Sequence, residues 1–326
     1  MAEPILSVRG LCKHFPVFDK GFFKKQIGLI KAVDDVSFDL TAGETLGVVG
    51  ESGSGKTTAG RTILHAHTPT RGEVWYRQED GKRINLAEMS ETELVPLRTQ
   101  LQMIFQDPFS SLNPRMTVGD LVAEPLVIHD MAGGSELDDR VVEMLRKVGL
   151  QPEHRTRYPH AFSGGQRQRI GIARAFVMHP KLVVCDEAVS ALDVSVQAQV
   201  INLLADLQEE LGLTYIFIAH DLSVVRHICD RVAVMYAGRI VELSDTRDLF
   251  HNPQHPYTRA LLSAVPSPNP DLPMGALLTG EVADPGNLPP GCSFASRCSM
   301  AVEGCGKAVP ELRAVLDQRL VACSEV

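Results

Sequence analysis

Residues 50–58, Gly50-Glu-Ser52-Gly53-Ser54-Gly55-Lys56-Thr57-Thr58, combine three glycines, one lysine and a run of hydroxyl side chains. This is chemistry suited to a polyphosphate. Glycines let successive backbone N–H groups converge on phosphate oxygens, and the start of a helix adds a favourable dipole. The spacing fits G-x-x-x-x-G-K-[ST], which average residue usage produces by chance in roughly one chain of this length per hundred. An apolar run at Thr45–Val49 before it and a helix-compatible stretch after it reduce the role of chance further. Lys56 is expected to reach the β- and γ-phosphates, and the Thr57 hydroxyl to ligate Mg²⁺. The pattern points to nucleotide binding without saying which kind of NTPase.

A second group of residues makes hydrolysis the expected chemistry. Leu182-Val-Val-Cys-Asp186-Glu187 ends an apolar run on two carboxylates. Burying unpaired charge is expensive, so acids at such an edge need a reason. With a phosphate loop in the same chain, Asp186 is placed to hold Mg²⁺ and Glu187 to polarise an attacking water. An acid pair that merely caps the next turn is the structural alternative. Phe162-Ser163-Gly164-Gly165-Gln166 stands before a helix-compatible run, with Ser163 preceding Asp186 by 23 residues. That distance suits one helix, a turn and the strand carrying the acids. A serine and two glycines at a helix start form another anion-binding turn, although a plain N-cap would look the same. One nucleotide has no use for two such turns. Two chains packed head to tail would use both, each covering the γ-phosphate held by the other.

The elements that position these residues are legible from hydrophobic period. Thr45–Val49, Leu101–Phe105, Lys181–Cys185 and Tyr215–Ala219 read as short buried strands. Val196, Val200, Leu203, Leu204, Leu207 and Leu211 recur at helical spacing. Strands alternating with helices predict an α/β core with a mainly parallel sheet. Ile5–Val8 and Val36–Leu40 flank a Lys-, Phe- and Gly-rich stretch at Lys20–Lys31, which predicts an antiparallel β unit with a long hairpin loop. Residues ~115–160 read as a helical insert. Nine of the twenty prolines fall between Pro253 and Pro290, so the stretch after Ala264 is expected to lack regular elements and to form a tail. The domain division predicted is 1–263 and 264–326.

Hydrophobic content of 44% over 326 residues is enough for a sizeable core. No run approaches the ~18 apolar residues of a membrane span, and the first residues do not have a secretory signal pattern. A cytoplasmic protein is expected. The net charge of −8 argues against nucleic acid as a partner.

From residue ~5 to ~250 the motifs, in their order, resemble the nucleotide-binding subunits of ATP-binding cassette (ABC) transporters. The resemblance implies a P-loop NTPase core that binds ATP with Mg²⁺ through Gly50, Ser52, Gly53, Ser54, Gly55, Lys56, Thr57, Thr58 and Asp186. It makes Glu187 and His220 the catalytic pair. Gln106, in Phe105-Gln106-Asp107-Pro108, becomes the residue that senses Mg²⁺ and touches the membrane partner. Ser163, Gly164, Gly165 and Gln166 become the signature turn, and Asp193 part of the loop that crosses the dimer interface. Phe15 resembles the aromatic that stacks on adenine, with Phe18 the second candidate and a core role the alternative for both. Ala188 stands where the family usually has proline. Lys13-His-Phe-Pro-Val17, Ser111-Leu-Asn-Pro-Arg115, Tyr158-Pro-His160, His255-Pro-Tyr-Thr258 and Pro290-Gly-Cys292 narrow the resemblance to bacterial dipeptide/oligopeptide importers. Such a subunit is expected at the cytoplasmic face of the inner membrane. It would pair with a second, similar ATPase beneath two transmembrane permeases fed by an extracytoplasmic peptide-binding protein. Importers of nickel or glutathione, and ABC ATPases outside transport, are the alternatives.

Cys292, Cys298, Cys305 and Cys323 lie in the last 35 residues with a spacing that matches neither zinc modules nor common ferredoxins. Four thiolates are enough for a [4Fe–4S] cluster, which the resemblance implies, with zinc and free thiols as the other readings. Cys12, Cys185 and Cys229 are scattered and read as structural. The segment carrying Phe22, Phe23, Lys24 and Lys25 reads as a solvated loop or as a membrane- or partner-facing one.

Overall fold

The computed structural model describes residues 3–20, 25–107, 111–264, 280–316 and 319–326. Phe22, Phe23, Lys24 and Pro108 lie outside them. In chain order the strands are β1 (Pro4–Phe18), β2 (Gln26–Thr41), β3 (Thr45–Val49), β4 (Arg71–Arg77), β5 (Arg83–Asn85) and β6 (Leu101–Ile104). They continue with β7 (Leu182–Asp186), β8 (Thr214–Ile218), β9 (Arg231–Tyr236), β10 (Arg239–Asp245), β11 (Arg313–Leu316) and β12 (Arg319–Val321). The helices are α1 (Lys56–Ile63), α2 (Glu91–Leu94), α3 (Val118–Ile128), α4 (Gly134–Lys147) and α5 (Gly164–Phe176). After them come α6 (Val194–Leu211), α7 (Leu222–Ile228), α8 (Thr246–His251) and α9 (Pro256–Ser263). No described helix is long and apolar enough to cross a membrane.

The chain divides into two compact units. One comprises Met1–Thr41, Leu46–Glu88 and Ala219–Val326. It contains the antiparallel sheet β2-β1-β4-β5 and a run of strands in the order β11-β12-β10-β9-β3, in which β3 is parallel to β9. The antiparallel β unit is as expected, but β2 begins at Gln26, inside the stretch read as loop. Its outer half, Gln26–Ile30, is mostly exposed and pairs with Phe15–Phe18, so backbone pairing extends the ribbon where no hydrophobic alternation announces it.

The tail differs from expectation. Beyond residue 280 it carries β11 and β12, and β12 pairs with β10 through Glu242↔Val321 and Leu243↔Leu320. Each strand is too short for a period to be read; β11 pairs with β12, and the other partner of β12 lies some 80 residues upstream.

His255, the N-cap of α9, secures this region. Its Nδ1 accepts the Tyr257 N–H at 3.0 Å, and its own backbone N–H donates to buried Glu242 at 2.9 Å. Burial lowers the imidazole pKa to about 4. A hydrogen bond with the Ala322 backbone opposes the shift and the Arg259 charge adds to it. An unfolded histidine titrates near ~6.5, so the unfolded chain takes up the proton first as pH falls. Stability from neutral His255 is therefore complete above pH ~6.5 and lost between there and about 4, on the order of 3 kcal/mol. Thermal unfolding of His255→Gln from pH 7 to 4.5 should show a shallower decline than the unsubstituted protein. Parallel declines would refute the assignment.

The other unit comprises Ala42–Thr45 and Met89–Ile218. Its strands run parallel in the order β8-β7-β6. All five positions of β7 and of β8 are buried, which explains their unbroken apolar runs. Each such Val, Leu or Ile contributes about 1.5–3 kcal/mol relative to exposure. Helix α6 buries Val200, Leu203, Leu204 and Leu207, the centre of the predicted stripe, and Ile201 beside them. The expected helical insert is present as α3 and α4 with two short 3-10 turns, Pro152–Thr156 and Pro159–Ala161.

Candidate functional site

In the first unit, β3 runs into the glycine-rich loop and out into α1. Gly50 and Gly55 have φ of 149° and 101°. A Cβ on Gly50 would meet the Met235 carbonyl oxygen at 2.2 Å, and one on Gly55 the Ala32 carbonyl oxygen at 2.1 Å. Only glycine fits at either place. Gly53 also has positive φ, in open space, flanked by exposed Ser52 and buried Ser54. Gly55 caps α1 without a side chain, and Thr57 and Thr58 fall in its first turn. Buried Lys56 curls back over the loop, its Nζ donating to the Gly50 and Glu51 carbonyls at 2.7 and 3.0 Å. The ammonium thus sits inside the loop's concavity.

Phe15, on β1, makes an edge contact with the His67 ring at 5.8 Å, and the Lys13 ammonium lies 5.0 Å from its ring centre. Burial, with the charges of Lys13 and Arg61, keeps His67 below its ordinary pKa and so favours the neutral ring. Just before Phe15, Cys12 Sγ, His14 Nε2 and an Asp34 oxygen lie within 4.8 Å of one another. Arg239 binds the same carboxylate at 2.7 Å, with Lys31 and Arg71 within 4 Å. Burial alone would raise the Asp34 pKa. The hydrogen bond and charge of Arg239, with Lys31 and His14, outweigh it and hold the group ionised. Three cations facing one carboxylate make this a buttress for β1 rather than a place for a metal ion. Phe18 is half exposed farther along the strand, and exposed His220 follows β8.

In the second unit, β6 and β7 pair in register with Ile104 opposite Cys185. Gln106 and Glu187 each stand two residues beyond that pair, and Gln106 Nε2 donates to Glu187 Oε2 at 2.7 Å. Glu187 adopts φ of 49°, a left-handed conformation uncommon for glutamate. Its N–H donates to the Ile218 carbonyl at 3.0 Å, and Ser190 Oγ donates to its own carbonyl at 3.0 Å. Asp186 is fully buried at the last position of β7. Burial first, and the Asp186 charge second, push the Cys185 thiol pKa up, so that cysteine stays a neutral core residue.

Ser163 caps α5 in a reciprocal box: Gln166 Oε1 accepts the Ser163 N–H at 3.1 Å, and Ser163 Oγ accepts the Gln166 N–H at 3.4 Å. A Cβ on Gly165 would lie 2.3 Å from Val196 Cγ1, so this glycine allows α5 and α6 to touch, whereas Gly164 has room. Asp193 caps α6, accepting the Val196 N–H at 3.0 Å and the Ser195 hydroxyl at 2.8 Å. These bonds, Val196 first, lower its pKa.

The candidate residues are thus divided. Phe15, Gly50–Thr58 and His220 belong to one unit, and Gln106, Ser163–Gln166, Asp186, Glu187 and Asp193 to the other. Sequence reasoning passed over Glu51, an unspecified position of the loop pattern. Its backbone N–H donates to the Tyr257 hydroxyl at 2.9 Å, and its carboxylate pairs with Arg297 at 2.7 Å. Arg297 precedes Cys298 in the quoted cysteine segment, but nothing local links it to a residue 246 positions earlier. All four late cysteines line one small cavity in the first unit.

Residues 33–190 match the family model described as ABC transporter, and residues 241–305 that described as oligopeptide/dipeptide transporter, C-terminal region. The chain is 50% identical over 328 residues to the oligopeptide transport ATP-binding protein AppF of Bacillus subtilis (strain 168), covering 98% of this chain and 97% of that one. This is an ATP-binding subunit of the oligopeptide/dipeptide ABC transporter family. The dipeptide transport ATP-binding protein DppF of Haemophilus influenzae is also 50% identical, over 324 residues covering 99% and 97% of the two chains. Among solved structures, a dimeric post-hydrolysis state of the ATP-binding cassette MJ0796 bound to ADP and Pi superposes with a TM-score of 0.64 at 28% identity. It covers 74% of this chain and 99% of that one. The fold is the ABC cassette, an α/β P-loop core with an antiparallel β subdomain. The chain is an ABC ATPase that couples ATP hydrolysis to transport, with Mg²⁺ as its nucleotide's companion ion.

Proposed function

We propose that this subunit energises the import of dipeptides or oligopeptides from the cytoplasmic face of the inner membrane. It works as half of an ATPase heterodimer beneath two permease subunits, with an extracytoplasmic peptide-binding protein supplying cargo. The observation that carries this reading is the Gln106–Glu187 hydrogen bond at 2.7 Å. It ties the acid placed to activate water to the residue after Phe105, which lines a groove of about 210 Å³ with Leu112, Pro125 and Ile128. Phe105 and Ile128 are 48% and 69% exposed, an apolar surface suited to a permease helix. Occupancy of the groove and orientation of Glu187 are then linked through one side chain.

In this reading Lys56 and the loop N–H groups hold the phosphates, Thr57, Asp186 and Gln106 hold Mg²⁺, and Phe15 stacks on adenine. Ser163-Gly164-Gly165-Gln166 and Asp193 close over the nucleotide of the partner ATPase, with His220 near the γ-phosphate. Val194, 82% exposed beside Asp193, fits burial against that partner. Residues 1–263 form the nucleotide-binding domain, with its helical insert at about 115–160, and 264–326 the C-terminal extension.

Cys292, Cys298, Cys305 and Cys323 fit a [4Fe–4S] cluster. They share one cavity. Bound there, such a group would cross-link a segment otherwise held by short turns.

ATP hydrolysis by the co-expressed complex, with and without binding protein and candidate peptides, tests the transport reading. Peptide-dependent turnover is expected. Turnover indifferent to peptides but raised by nickel or glutathione would move the cargo to those alternatives. In the same anaerobic preparation about four irons per chain are expected; zinc without iron would move the site to the zinc reading, and the absence of both would remove the metal hypothesis.

A further inference from the structure

The cysteine-bearing segment reaches the phosphate loop through one side chain. Arg297 ends the 3-10 turn Ala295–Arg297 and immediately precedes Cys298. Its Nη1 donates to Glu51 Oε2 at 2.7 Å and its Nη2 to Glu51 Oε1 at 2.9 Å, a parallel two-bond fork. The Arg297 side chain is 3% exposed. The guanidinium also lies about 6 Å from the ring centres of Tyr236 and Phe294, and 3.4 Å from the Tyr236 hydroxyl. The Tyr257 hydroxyl accepts the Glu51 N–H. Residues C-terminal to β9 therefore hold both the backbone and the carboxylate of Glu51, while the Glu51 carbonyl accepts from Lys56.

A planar guanidinium bound to a carboxylate by two parallel bonds fixes geometry more sharply than a point charge does. Here the position defined is that of the loop that must aim its N–H groups at phosphate. Cys298 lines the four-cysteine cavity with Cys292, Cys305 and Cys323, so any shift of that cavity's wall moves the base of Arg297. We propose that Arg297 is a positioning residue for the phosphate loop, through which the C-terminal cysteine segment sets the affinity for ATP. This rests on the phosphate-site reading above.

The test is titration of the full-length chain with a fluorescent ATP analogue. Arg297→Gln should weaken binding about tenfold, since a charge-assisted fork is lost. Arg297→Lys should recover part of it, because lysine keeps the charge but not the fork. Glu51→Gln should resemble Arg297→Gln, and the double variant should be no weaker than either single one. Cys298→Ser/Cys305→Ser should weaken binding in the native background and have no further effect alongside Arg297→Gln. Should Arg297→Gln fail to fold, Glu51→Gln severs the same contact from its more exposed side and decides the matter.

Affinity within twofold of the unsubstituted chain in both Arg297→Gln and Glu51→Gln would overturn the proposal. So would a cysteine effect undiminished by Arg297→Gln. Lys56→Ala is the reference: if it binds ATP as the unsubstituted chain does, the phosphate-site reading itself falls, and this inference with it.

Discussion

Replacing Glu187 with Gln is expected to lower ATP turnover about 10²–10⁴-fold, the usual contribution of a positioned general base, while ATP still binds. Three features of the geometry argue for so large an effect. Glu187 is anchored at φ 49° by its own N–H and carbonyl, so its carboxylate is aimed by the backbone rather than by chance rotamers. Its Oε2 accepts the 2.7 Å bond from Gln106, which holds the carboxylate in place. The substitution preserves shape, and the amide oxygen can still accept from Gln106, so the loss isolates basicity from architecture. Phosphate release and analogue titration on the same preparations make the test. Turnover within tenfold of the unsubstituted protein would take Glu187 out of the catalytic role.

Lys56→Ala is the second large effect, acting on binding rather than turnover. Lys56 is almost fully buried in a loop whose glycines admit no side chain at positions 50 and 55, and its ammonium is held by the Gly50 and Glu51 carbonyls. Charge-assisted bonds to a phosphate are worth about 1.5–3 kcal/mol each, so losing the ammonium should weaken ATP binding by at least ~10-fold and up to ~10²-fold. Alanine also leaves those two carbonyls without the lysine donor, so a modest fall in melting temperature should accompany the loss. Affinity unchanged beside an intact fold would take Lys56 out of the phosphate site and overturn the phosphate-site reading.

Much of the site was legible because its parts are local. Nine consecutive residues define the phosphate loop, and the capping box of Ser163 and the N-cap of Asp193 close within three residues. Fully buried strands announced themselves as unbroken apolar runs, and α6 as a stripe. What stayed illegible depends on register and on distant partners. The exposed half of β2 carries no hydrophobic alternation because neither face needs burial. β11 and β12 become strands only because the edge of β10 is there to pair with.

By itself, the amino-acid sequence determined that this chain binds nucleotide and which family it belongs to, since motif chemistry is written in consecutive residues whose spacing no later packing changes. Tertiary structure alone decided that Gln106 meets Glu187 across 81 residues and that Arg297 grips Glu51 across 246. The first contact follows from the β6–β7 register, and the second from a tail folded back onto its own unit. A one-residue slip of β6 against β7 would separate Gln106 from Glu187 without altering a single motif, because neighbouring positions on a strand face opposite ways.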